Sequence, residues 1–246
     1  MRASGIAIGG LAFMAVGLAL AVLLAGRGLD YFFLERARLR LEPVFDRVFR
    51  EANAALPQAG TPRLVIFGDS RAVQLRLDAP KGWQRVERAI SGETTAQMRY
   101  RIAQDVVGLA PRAVVLFAGI NDLVAAAALP GQAHAGLDAT VANLTDFVRQ
   151  ARAAGIEVVL LTIVRPAAVR LIRWPIWPAG VAELVAAANV RLRALAGPGV
   201  TVIDADAMLS GGAAVLPARF ATDEVHLSDE ANAALRRAIL AALPAD

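Results

Sequence analysis

The chain has no cysteine, which excludes thiolate nucleophiles, disulfides and cysteine-ligated metal centres at once. Histidine is nearly as scarce. His134 and His226 are the only two, and neither stands in a His-x-x-x-His or Glu-x-x-His pattern, which speaks against a dedicated transition-metal site. Chemistry must come from side chains alone, with no cofactor and no metal. Lys81 is the only lysine, so the net charge of +4 and the pI near 10.5 are almost wholly arginine. Those arginines are scattered, with no run of five or six like charges and no interleaved aromatic platform, so no nucleic-acid partner is expected. Internal repeats and low-complexity linkers are also absent from the body of the chain.

What is present first is a long apolar run. From Gly5 to Gly26 the chain is uncharged and rich in Ala, Leu, Ile and Val, long enough as a helix to cross a hydrocarbon core of ~30 Å. It reads as an uncleaved single-pass anchor over residues 1–28. A cleaved signal peptide is the competing reading, because Ala19-Leu20-Ala21 has the small-x-small pattern, although the apolar run exceeds the usual core of such peptides. Arg27, Arg36, Arg38 and Arg40 follow the run and only Arg2 precedes it. Arginine counting thus favours a cytoplasmic C-terminal domain, but large domains translocate despite modest flanking charge. Residues 29–62 follow as an amphipathic helical stalk and linker, with Leu41, Val44, Phe45, Val48 and Phe49 at helical spacing and Pro57 to Pro62 leading onward.

Residues 63–246 make one domain. Short apolar runs at Leu64 to Phe67, Val86 to Ile90, Val114 to Ala118, Val158 to Ile163 and Val200 to Asp204 read as strands. Helical patterns at Thr95 to Leu109, Asp138 to Ala154, Ala179 to Ala196 and Ser228 to Leu243 alternate with them. Such alternation predicts an α/β fold, a three-layer α/β/α sandwich around a parallel, flavodoxin-like sheet. Ligands of open parallel sheets bind beyond the carboxyl ends of the strands. Gly68-Asp69-Ser70 and Gly119-Ile120-Asn121-Asp122 both directly follow expected strands, which puts them on that rim.

A serine hydroxyl needs a base and a place for the developing oxyanion. Ser70 stands on a Gly-containing turn entering a helix, suited either to nucleophilic attack or to capping that helix. His226 follows Asp223 by three residues and precedes a helix start at Ser228-Asp229-Glu230. His134, in a Gly/Ala-rich loop without a paired carboxylate, is expected at the surface or in packing. Gly92 reads by itself as a turn glycine, Asn121 as a donor or a turn-closing residue, and Asp69 and Asp122 as loop-orienting acceptors.

The ordered blocks Gly68-Asp69-Ser70, Gly92, Gly119-Ile120-Asn121-Asp122 and Asp223-Glu224-Val225-His226 together resemble the SGNH hydrolases, or GDSL-like esterases, from about Arg63 to the C-terminus. The resemblance implies a serine esterase with Ser70 as nucleophile and the pair His226 and Asp223 as base and orienting acid. Oxyanion donors would come from the Ser70 and Gly92 N–H groups and the Asn121 amide. Arg71 stands where the motif's name has Leu and is expected to bias the pocket toward anionic or polar substrates. The expected partner is an acyl ester of a glycan or lipid, met at the membrane by a periplasmic or extracellular domain. A lysophospholipase or thioesterase, an O-acyltransferase and a non-enzymatic glycan binder are the alternatives. Arg165 to Pro178, with two Trp and several Arg, is open between a lid, a bilayer contact and an ordinary loop.

Overall fold

A computed structural model describes residues 13–27, 34, 44–57 and 60–244. Two units are distinct, residues 1–44 and residues 45–246. In the first, residues 13–27 are helical, a stretch of roughly 22 Å at 1.5 Å per residue. The earlier part of the apolar run, and most of the expected stalk before Val44, lie outside the described residues. Among those described, no helix is long and apolar enough to cross a membrane.

The second unit is built on five parallel strands: β1 (Arg63–Gly68), β2 (Gln84–Glu87), β3 (Ala113–Phe117), β4 (Glu157–Leu161) and β5 (Val200–Ile203), in the order β2-β1-β3-β4-β5. The inner strands are apolar nearly throughout because both faces are covered. β-branched and aromatic side chains alternate between the two sides. Val65 and Phe67 join one core cluster, Leu64 and Ile66 the other. On the first face lie α2 (Ile120–Ala128), α3 (Ala133–Ala153) and α4 (Val181–Arg193), contributing Leu123, Leu144, Phe147 and Val185. The second face is covered by α1 (Ser70–Leu75), the short helix Ala205–Ser210 and α5 (Asp229–Ala242), through Leu75, Leu209, Leu235 and Ile239. Each such side chain taken fully from water stabilises the fold by about 1.5–3 kcal/mol. The expected sandwich is thus present, with two differences at its edges. β2 ends at Glu87 rather than reaching Ile90, and both β2 and β5 are only partly buried, as lateral strands are.

The expected helix from Thr95 to Leu109 is broken into Thr95–Met98, Ile102–Asp105 and a 3-10 turn at Val107–Leu109. Val106 leaves helical geometry at the second break (φ −127°, ψ −68°), as Arg101 does at the first (φ −125°, ψ −6°), where its guanidinium turns fully inward. It donates to Glu93 through Nε at 2.7 Å and to Asp105 at 3.0 Å, and lies 4.4 Å over the Phe67 ring.

The compact unit begins at Phe45, ahead of the Arg63 boundary expected. Phe45 is buried and Arg50–Ala54 forms a short helix. Asn53 on that helix donates to Asp105 at 2.6 Å and accepts from Arg88 at 2.7 Å, while the Arg88 guanidinium stacks 4.8 Å from the Phe49 ring centroid. Of the apolar stripe that suggested a stalk, Phe45 and Phe49 pack within this unit, whereas Val48 is exposed.

Candidate active site

The chain leaves β1 for β2 on one side and later returns to β3 on the other. This reversal opens a crevice at the carboxyl ends of β1 and β3, the position where open α/β sheets place their ligands. Gly68 closes the two strands tightly, since a Cβ there would meet the Phe117 carbonyl oxygen at 2.0 Å. Immediately afterwards Asp69 caps α1, its Oδ1 accepting the Arg71 N–H at 2.9 Å. Ser70 is the first residue of α1, so its own N–H has no acceptor within the helix.

Ser70 Oγ lies 3.0 Å from His226 Nε2, and His226 Nδ1 lies 2.7 Å from Asp223 Oδ2. Asp223 Oδ1 accepts the backbone N–H groups of Val225 and His226, each at 2.8 Å. Burial alone raises the Asp223 carboxyl; the His226 ring and the two N–H donors overcome it and hold the group at about 2. The segment closes on itself, Thr222 N–H donating to the His226 carbonyl at 3.0 Å. It is followed at once by the Ser228 cap of α5, the helix start read from the sequence.

Asn121 is the second residue of α2, which follows Gly119, whose φ of +114° favours glycine. Its Nδ2 donates to the Glu93 carbonyl at 2.9 Å, one of the two hydrogens that an amide nitrogen carries. Gly92, just before, has φ of +80° with no atom near where a Cβ would sit, so backbone conformation rather than space calls for glycine. Asp122 accepts from Thr95 through N–H and, at 2.6 Å, through Oγ1, the loop-orienting work expected of it. The loop from Gly92 to Thr95 is therefore gripped by Asn121, by Asp122 and, through the buried Glu93 carboxylate, by Arg101. Beside it a groove of about 500 Å³ is lined by Thr94, Ala96, Asp122, Ala125, Leu129 and Asn143.

Ser70, His226, Asp223, Asn121 and Gly92 thus come from four separated stretches to one rim. His134 is exposed on α3. Arg71 departs from expectation. It does not face a pocket: it is 1% exposed, and donates from Nε to the Val225 carbonyl and from Nη1 to the Val164 carbonyl, each at 2.7 Å. Nothing in the local sequence marks this, because both acceptors are backbone atoms far along the chain. A second feature invisible in sequence is the buried Glu224 carboxylate, which receives the Arg170 N–H at 3.1 Å and its guanidinium at 2.8 Å. That ion pair fastens the Arg165 to Pro178 loop to the segment carrying His226, while Leu171, Ile172, Trp174 and Ile176 remain 74–91% exposed.

The GDSL-like lipase/acylhydrolase family model matches residues 42–234. The chain belongs to this family, that of the SGNH hydrolases, and is a carboxylic ester hydrolase. A GDSL-like lipase from Bacteroides thetaiotaomicron is 25% identical with a TM-score of 0.62, the match covering 80% of this chain and 96% of that one. A protein described as an acylhydrolase from Bacteroides fragilis is 28% identical with a TM-score of 0.63, over 79% of this chain and 93% of the other. An acetylxylan esterase from Geobacillus stearothermophilus shares the fold at 19% identity and a TM-score of 0.54, over 77% and 98% of the two chains. A search of curated protein sequences found no match.

Proposed function

We propose that the chain is a serine esterase that removes small acyl groups, such as acetyl, from an envelope or extracellular glycan. Ser70 Oγ attacks the ester carbonyl while His226 Nε2 takes its proton; Asp223 keeps Nδ1 protonated and stabilises the imidazolium. The tetrahedral oxyanion is received by the N–H groups of Ser70 and Gly92 and by the Asn121 amide, each donor worth on the order of 3 kcal/mol in such chemistry. His226 returns the proton to the leaving alcohol, and water resolves the acyl-enzyme by the same steps in reverse. The observation that carries this reading is the continuous hydrogen-bonded line from Ser70 through His226 to Asp223, at 3.0 and 2.7 Å. The fold shared with acetylxylan esterases supports a short acyl group on a sugar. The N-terminal apolar run supports a tether that holds the domain at the inner membrane, facing the periplasm or the exterior.

A longer acyl substrate is the second reading, favoured by the exposed apolar residues of the loop fastened to Glu224. Hydrolysis of p-nitrophenyl acetate against the decanoate separates the two: the first reading requires the acetate to be the better substrate by kcat/KM. Ser70→Ala is expected to abolish hydrolysis and labelling by a fluorophosphonate probe. Undiminished turnover in that variant would remove Ser70 from the mechanism.

A further inference from the structure

A buried guanidinium is an expensive way to fill the position after the nucleophile. Arg71 is desolvated enough that burial pulls its pKa down to about 10, against the opposing pull of Asp69, Asp206 and Asp223, and its Nη2 finds no acceptor among the described residues. A leucine would fill such a place without that cost.

The geometry shows what the charge obtains. The Val225 carbonyl and the His226 N–H are the two ends of one peptide group. Arg71 Nε holds the carbonyl end at 2.7 Å and Asp223 Oδ1 the N–H end at 2.8 Å. A cation at the oxygen and an anion at the nitrogen polarise the same peptide in the same sense, which strengthens both bonds. That peptide plane sets where the His226 Cα stands and therefore where the ring reaches. Meanwhile Nη1 fixes the Val164 carbonyl, three residues past β4, at 2.7 Å. One side chain thus joins the helix that starts at Ser70, the exit of the fourth strand and the segment bearing the imidazole.

We infer that Arg71 is a positioning residue: it locks the Val225–His226 peptide onto the nucleophile's own helix, so that the spacing between Ser70 Oγ and His226 Nε2 is set by two adjacent residues of one element. This rests on the proposed role of His226 as the base. Displacement of a reacting group by about 1 Å costs on the order of 100-fold in rate, which sets the scale of what the lock protects.

The test uses the full chain with p-nitrophenyl acetate. Arg71→Leu is expected to lower kcat by about 100-fold with KM nearly unchanged, and to shift or broaden the downfield proton resonance of His226 Nδ1–H in the NMR spectrum. Arg71→Lys, which keeps the charge but not the two-armed fork, falls between the two, and it serves if the leucine variant does not fold. In a His226→Ala background, Arg71→Leu is expected to add no further loss, because a residue acting through the imidazole has nothing left to position. A folded Arg71 variant with the parent's kcat and an unmoved resonance overturns the inference, as does a fully multiplicative loss in the double variant. Full activity of His226→Ala alone sinks the proposed mechanism instead, whatever Arg71 does.

Discussion

Asp69 joins two features that pull against each other: it caps the helix that begins at Ser70, and it is wholly buried. Burial pushes its carboxyl up from 3.8 to about 6, even with Arg71 beside it drawing it down. Between those values the unfolded chain has released the proton that the folded chain still holds. The contribution of Asp69 to stability is therefore present below about pH 4 and is lost as the pH rises to about 6. Asp223, depressed to about 2, acts in the opposite sense and in a lower window, its contribution being lost as the pH falls through that value. Asp69→Asn, which keeps a capping oxygen, is expected to gain on the order of 3 kcal/mol relative to the parent between about pH 4 and pH 7. Urea melts of both proteins at the two ends of that range measure it; a difference independent of pH would show that Asp69 does not titrate there. At this scale, the sequence named Ser70, Asn121, Asp223 and His226 because each stands in a short block of distinctive composition. It misplaced Arg71 and left Glu224 without a role, since their partners, Val164, Val225 and Arg170, are 54 to 154 positions away and leave no local signature.

The elements themselves were read well where apolar pattern alone decides and less well where a buried charge does. β1, β3 and β4 are recognisable as unbroken apolar runs because a doubly covered strand has no solvent side to record. The interruption of the helix after Met98 coincides instead with Arg101 reaching Glu93 and Asp105 in the interior, and nothing in helical periodicity foretells it. The junction of β1 with α1 is the most demanding element boundary, because Gly68 approaches the Phe117 carbonyl so closely. Gly68→Ala forces the two central strands apart at the rim that holds Ser70. It is expected to destabilise the protein by roughly 3 kcal/mol or more and to cut esterase activity in whatever fraction still folds. Thermal melting paired with acetate-ester assays checks both; an alanine variant that melts with the parent would mean that the strands accommodate the methyl group freely.

For the whole molecule, the order of the strands locates the crevice, while the alternation of strands and helices foresees only the rim on which it opens. The start of the domain was harder to read, since an amphipathic segment looks the same whether its apolar face meets a distant partner or its own sheet. In this chain Phe45 is buried, Phe49 lies under Arg88 and Asn53 donates to Asp105. A protein beginning at Phe45 is expected to melt cooperatively, whereas one beginning at Arg63 loses the Asn53 bridge and the aromatic cover over Arg88, and is expected to be less stable by several kcal/mol. Equal melting temperatures for the two would return residues 45–62 to the status of a linker. The line from Ser70 to His226 spans 156 positions, and this separation has a consequence during synthesis. The ribosome supplies the serine and its helix 156 residues before the imidazole. A chain terminated between the two positions therefore lacks the ring nitrogen that lies 3.0 Å from the Ser70 hydroxyl in the finished fold.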